Sequence, residues 1–350
     1  MRRARALPIV PAVSALALAG CDAPQSILHP AGPAARGLAT LGTFALVLFC
    51  LTAVTVWGLL VWIALRRRGR LDDEPLPVDA RDGQRWILIG GVLVPVVALG
   101  LTLVLTLRTL RDFPLESTLR GTVCSAVVST CPNPAVRVTG YQWWFDVRYV
   151  FDQPDQEVRG TTEIHMPIGR PVDIALESRD VIHSFWVPRL HGKVDLVPGQ
   201  TNYIRVQADA PGVYEGQCGE YCGVEHANMR LTVVAQAPDD YAAWLDRQRA
   251  PANPPDSDEK RRGHDAFMAS ACALCHTIRG TPAMGRVGPE LTHVGSQRRI
   301  AGGMFQNTTA DLAAWITHAQ SLKPGAQMPD VTAFTGAELR AVVAYLQSLR

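Results

Sequence analysis

Between Gly37 and Leu65 the chain carries no charged residue over 29 positions, and between Trp86 and Leu107 it carries none over another 22. About 20 apolar residues in a helix cross the roughly 30 Å hydrocarbon core of a bilayer, so either stretch is long enough to span. Inside lipid a backbone must satisfy its own hydrogen bonds, which leaves helices or closed barrels. Unbroken apolar runs of this length select helices. Gly90, Gly91 and Pro95 lie inside the second run, where neighbouring helices can satisfy the freed backbone groups. Arg66-Arg67-Arg68-Gly69-Arg70 follows the first run directly, and clustered arginines mark a cytoplasmic end. The expectation is a two-helix transmembrane hairpin. Its spans are 37–65 and 86–107, with a cytoplasmic loop at 66–85 and everything after Arg108 outside.

The N-terminus agrees with that orientation. Met1-Arg2-Arg3-Ala4-Arg5 precedes an apolar run from Leu7 to Leu18 and then Ala19-Gly20-Cys21. A basic start, a short apolar core and small residues make a secretory signal, here 1–20. Leu18-Ala19-Gly20-Cys21 also resembles a bacterial lipobox, which would make Cys21 the first mature residue and a lipid carrier. An ordinary signal peptide with a spare thiol at Cys21 is the alternative. The net charge of +2 gives no reason to expect a nucleic-acid partner.

The eight cysteines sit in unlike surroundings and are read locally. Cys50 lies inside the first span. Cys124 and Cys131 precede the first strand in an oxidising compartment, where a disulfide or two free thiols both fit. From about Arg120 to Val234 the texture is β: Val136–Thr139, Phe145–Val150, Val172–Leu176, Tyr203–Val206 and Leu231–Val234 are short and rich in branched residues. Pro and Gly punctuate them, as in a sandwich of short strands. A linker at 238–262 follows, with a short helix at Asp239–Arg249. The region 263–350 has helical apolar spacing, and Thr309 and Thr335 stand where N-caps belong.

Two motifs carry the chemistry. Cys218-Gly-Glu-Tyr-Cys222-Gly-Val-Glu-His226-Ala-Asn-Met229 places two thiols, an imidazole and a thioether within twelve residues. Thiolate and thioether are soft ligands that select copper, and imidazole suits it too. A mononuclear blue-copper site uses one Cys; the second thiol here can bridge a second ion, so the loop reads as a dinuclear copper site. A Cys218–Cys222 disulfide, or zinc, is the competing reading, although zinc rarely takes a thioether. The loop needs a remote imidazole. His183, opening His-Ser-Phe-Trp-Val-Pro at a strand end, is the best placed; His165, His191 and His293 are weaker choices.

The other motif is Cys272-Ala-Leu-Cys275-His276. Cys-x-x-Cys-His is a c-type haem attachment site, with His276 as proximal iron ligand. Of Met284, Met304 and Met328, the last lies in Gly-Ala-Gln-Met-Pro before the final helix and is favoured as the distal ligand; His/Met ligation suits electron transfer.

Taken together, two spans, an external β domain, His183 and the Cys-x3-Cys-x3-His-x2-Met loop resemble subunit II of haem-copper cytochrome c oxidases with a fused C-terminal cytochrome c domain. The resemblance implies a multidomain chain: the transmembrane hairpin, an all-β cupredoxin-like sandwich at 108–237 and an all-α cytochrome c domain at 263–350. It implies a CuA centre of two copper ions on His183, Cys218, Cys222, His226 and Met229, with Glu220 lending its backbone carbonyl and its carboxylate reaching a Mg2+ or Mn2+ shared with subunit I. Tyr141-Gln142-Trp143-Trp144-Phe145 resembles the family's aromatic stretch, with Trp143 where electrons enter from cytochrome c. Tyr141 and Phe145 depart from the commoner His and Trp. Asp82 to Arg85 lack the Glu that feeds a proton channel in many members. One haem c, bound through Cys272 and Cys275 with His276 and Met328 on the iron, completes the cofactors. Implied partners are subunits I and III, a cytochrome c donor and the bacterial inner membrane, with both cofactor domains on its outer side. The resemblance fits a respiratory cytochrome c oxidase that reduces O2 with proton pumping. A copper-containing nitric oxide reductase subunit, or a membrane-anchored copper-delivery protein, would share parts of the pattern.

Overall fold

The computed structural model describes residues 23–66, 80–112, 135–151 and 157–350. The signal segment, Cys21, most of the loop at 66–85 and the Cys124–Cys131 pair lie outside the described residues. Two units separate: 36–115, and the remainder of the chain.

In the first unit, α1 (Pro33–Arg66) is one unbroken helix. The second begins as α2 (Ala80–Trp86), opens into a π-helical stretch over Ile87–Leu93 and continues as α3 (Val94–Asp112). Pro95 explains the opening. Its ring would clash with the carbonyl four residues back and it has no N–H to donate; the wider turn accommodates it, and the Val94 N–H bonds to Ile89 O instead. Both helices are long and apolar enough to cross a membrane. Several of their threonines turn the hydroxyl back onto the helix: Thr52 donates to Leu48 O and Thr102 to Ala98 O, each at 2.8 Å.

The second unit opens with a sandwich of two five-stranded sheets. One is built from β1 (Val136–Tyr141), β2 (Trp144–Tyr149), β3 (Val158–Thr161), β5 (Val172–Ser178) and β8 (Asn202–Val206), in the order β3-β2-β1-β5-β8. The other is built from β4 (Glu163–Pro167), β6 (His183–Trp186), β7 (Val194–Leu196), β9 (Gly212–Cys218) and β10 (Arg230–Gln236), in the order β4-β10-β9-β6-β7. Alternation fills the space between them: Phe145, Val147 and Tyr149 of β2 and Ile174 and Leu176 of β5 share one buried core with Ile164 and Phe185 of the other sheet. All five strands expected from the sequence are present.

The connector carries α4 (Pro238–Arg249), the helix expected there. It lies against the sandwich, with Trp244 stacked on His165 at 4.0 Å and edge-on to Tyr149. Beyond it come α5 (Asp258–Ala269), the single turn α6 (Cys272–Cys275), the hairpin β11 (Arg299–Ile300) and β12 (Phe305–Gln306), α7 (Thr309–Leu322) and α8 (Gly336–Ser348). Phe267 of α5 meets Tyr345 of α8 edge-on at 6.3 Å and anchors a second core. Thr335 caps α8 as expected, in a reciprocal box with Glu338. The cap of α7 is Thr308, one residue before Thr309: from there the hydroxyl reaches the Asp311 N–H at 3.1 Å.

Candidate metal centres

The Cys218–Met229 loop leaves the end of β9 and returns into β10, and Cys218 N–H to Met229 O at 2.9 Å closes its neck. β6 pairs beside β9, with Phe185 opposite Cys218, which brings the first residue of β6, His183, under the loop. His183 Nδ1 lies 3.9 Å from Cys218 Sγ, Cys218 and Cys222 Sγ lie 3.8 Å apart, His226 Nδ1 is 3.5 Å from Cys222 Sγ, and Met229 Sδ is 3.9 Å from it. The two sulfurs are free thiols, so no disulfide consumes them. Glu220 O is 3.2 Å from Cys218 Sγ. Every side chain that the sequence nominated for copper is therefore in one cluster, and His183, Cys218, Cys222 and Met229 are buried. Two sulfurs, a thioether and two imidazoles converging in a dry pocket fit copper as a donor set.

Electrostatics agree. The hydrogen bond between the two thiols pulls Cys218 down to about 3, helped by hydrogen bonds from His183 and the backbone at Glu220 against burial, and pushes Cys222 up. One proton is thus shared by the pair, and Cys218 is poised as a thiolate. Burial disfavours a charge on His183, but its hydrogen bonds with Cys218 and Asp180 outweigh that and raise its pKa.

Asp180 was not legible as a site residue. Its carboxylate accepts from His183 Nε2 at 2.8 Å and from the Gln142 N–H at 2.7 Å, which turns Nδ1 toward the sulfurs. A partner on the far ring nitrogen orients a metal-binding histidine in this way. The only signal was an acid three residues before His183. Gln142 was missed too: its Nε2 and Trp143 Nε1 both donate to Cys222 O, at 2.7 and 3.0 Å. The Glu220 carboxylate points outward and accepts from Lys193 at 2.8 Å.

The second centre is a cleft of ≈ 1260 Å3, counting its open mouth, lined by Cys272, Cys275, His276 and Met328 among others. Its walls are mostly apolar, with Phe267, Leu312, Ile316 and Leu346 among them, as suits a large hydrophobic cofactor. Cys272 and Cys275 are free thiols. His276 Nδ1 donates to Pro289 O at 2.8 Å, leaving the Nε2 lone pair for a metal; burial lowers its pKa and keeps it neutral. Gly288 lies flat against this ring, where a Cβ would come within 2.6 Å of the imidazole. Met284 is exposed, and neither it nor Met304 lines the cleft. A c-type haem fits this set of thiols, imidazole and thioether.

Residues 135–236 match the family described as cytochrome c oxidase subunit II, periplasmic domain, and residues 261–350 match the cytochrome c family. The chain is 31% identical over 344 residues to cytochrome c oxidase subunit 2 of Alkalihalophilus pseudofirmus, covering 96% of this chain and 94% of that protein. It is 25% identical over 351 residues to the Bacillus subtilis protein of the same name, covering 96% and 95%. Among solved structures, a cryo-EM structure of a heme-copper terminal oxidase dimer aligns with a TM-score of 0.27 at 26% identity, covering 40% of this chain and 96% of that one.

Proposed function

This chain belongs to the cytochrome c oxidase subunit II family, and on that premise we propose that it carries electrons from a cytochrome c to the haem-copper subunit I of an oxidase that reduces O2 to water with proton pumping. A covalent haem c on Cys272 and Cys275, with His276 and Met328 on its iron, and a CuA pair on His183, Cys218, Cys222, His226, Met229 and the Glu220 carbonyl would supply two one-electron carriers when bound. The Glu220 carboxylate, at the surface beside Lys193, would offer a Mg2+ or Mn2+ a ligand at the seam with subunit I. Subunit III is a further expected partner, and both spans anchor the chain with its cofactor domains outside.

One observation carries this reading: Trp143 belongs to both centres. Its ring lines the haem cleft, and its Nε1 donates to the carbonyl of Cys222. The chain's own residues do the remaining work. Asp180 orients His183 through its far nitrogen. Pro289 fixes the tautomer of His276, and Gly288 lets the backbone lie against its ring. Burial keeps water from the thiolates, which limits reorganisation when charge moves. Buried donors also weigh against a copper-delivery role, because delivery requires ligands that a recipient can reach.

The test is Trp143→Ala and Trp143→Phe in the purified complex. Reduced cytochrome c should reduce the chain's haem at the wild-type rate in both. Reduction of copper in Trp143→Ala should slow at least about tenfold, a barrier increase of about 1.4 kcal/mol, with the Phe variant between. Unchanged copper reduction in Trp143→Ala would refute the route. A complex that consumes NO and not O2 would reassign the reaction to a nitric oxide reductase.

A further inference from the structure

Lys323 is the C-cap of α7, is 2% exposed, and is the only lysine in the buried core of the described residues. Its ammonium donates to three backbone carbonyls: Trp143 O at 2.8 Å, Ala301 O at 2.8 Å and Asn228 O at 3.2 Å. An ammonium has three protons, and all three are used. The acceptors come from three places. Trp143 lies in the turn between β1 and β2, Asn228 adjoins the ligand candidate Met229 in the copper loop, and Ala301 lies in the β11–β12 hairpin of the cytochrome domain. A cation buried this deeply is costly unless it is fully bonded, and burial does lower this one to about 8.

The seam around Lys323 is closed by backbone. Gly302 has φ +70°, and a Cβ there would fall 2.3 Å from Trp143 O. Gly325 has φ +83°, and its Cβ would meet the Trp143 ring at 3.2 Å. The Arg230 N–H donates to Gly302 O at 3.0 Å, and Arg299 bonds to Glu215 at 3.1 Å. Among the described residues no other side chain bonds the Trp143 turn, the copper loop and the cytochrome domain through one atom. Trp143 itself is only 7% exposed beneath it.

We infer that Lys323 is a positioning residue: it latches the cytochrome domain onto the Trp143 face of the sandwich, so that the two centres sit in one fixed body and no soluble donor reaches Trp143. This deepens the proposed function and rests on it. Donor and acceptor then need no docking step. Electrons from outside enter at the fused cytochrome domain alone.

The latch is tested on the full chain in its complex with Lys323→Met, which keeps the length and loses the charge and donors, and with Lys323→Arg. The first readout is amide hydrogen exchange. In Lys323→Met, peptides over 140–145, 226–230 and 300–303 should exchange about tenfold faster or more, as expected for a locally released segment, while β5 and α8 stay protected. A purely structural role would loosen those elements as well. The second readout is the rate of copper reduction after a flash-activated ruthenium photoreductant has reduced the haem. It should not depend on solvent viscosity in the wild type, and should fall severalfold and become viscosity-dependent in Lys323→Met. Unchanged exchange and rate in Lys323→Met, with both cofactor spectra intact, would overturn the latch and leave the proposed function standing. Absence of haem or copper from the wild-type complex would instead sink the proposed function. Should Lys323→Met fail to fold, Gly325→Ala, which wedges the same seam at the Trp143 ring, and the wild-type viscosity series decide. A viscosity-dependent wild type refutes the fixed body.

Discussion

Met328 shows how much one residue can decide. The chain offers three methionines after Cys275, and spacing alone does not choose among them. The Gly-Ala-Gln-Met-Pro context favours Met328, and of the three it is the one that lines the cleft with His276, which supports it as the proposed distal ligand. Met328→Ala should therefore lose the low-spin His/Met absorption signature of the reduced and oxidised protein while retaining covalent haem on a denaturing gel. Retention of the signature would move the distal ligand elsewhere. The proposed copper ligands were legible for a different reason. Cys218, Cys222, His226 and Met229 are close in sequence, so their chemistry could be read as one motif. His183 needed the additional argument that the loop lacked an imidazole. Asp180, Gln142 and Lys323 were not legible, since each acts by a hydrogen bond to a backbone or ring that only the fold brings near. An acid, an amide and a lysine carry no mark of that in a string of letters.

At the level of elements, charge-free runs and branched residues made the helices and five strands readable. The strands that were missed explain themselves. β9 reads Gly-Val-Tyr-Glu-Gly-Gln-Cys, and its two glycines hide a clean alternation of burial. Gly216 is required there because a Cβ would lie 2.5 Å from Trp186 O. β6 and β7 are four and three residues long, too short for periodicity to register. Helix ends were clearer. Thr335 and Glu338 cap α8 reciprocally, and α8 packs on α5 beneath the cleft, with Val342 and Leu346 lining it. Thr335→Ala should destabilise the cytochrome domain by about 1 kcal/mol, read as a lower midpoint in the haem-monitored unfolding transition, whereas Thr335→Ser should stay near wild type.

For the whole molecule, both helices are long and apolar enough to cross a membrane, and the proposed topology has two crossings with the arginines after α1 on the inner side. Gly69→Cys should then react with an impermeant maleimide only in inverted vesicles, and Asp256→Cys, in the exposed connector, only in intact spheroplasts. The reverse pattern would invert the topology. The buried indole at the seam carries a consequence for kinetics in the cell. A partner held in place is present at an effective concentration that dilution cannot lower, so the second transfer should keep its pace when mobile carriers become scarce or ionic strength rises. Scarcity and salt would then act only at the outer haem, and selection for a new electron source would have to rewrite the surface of the cytochrome domain while leaving the copper domain untouched.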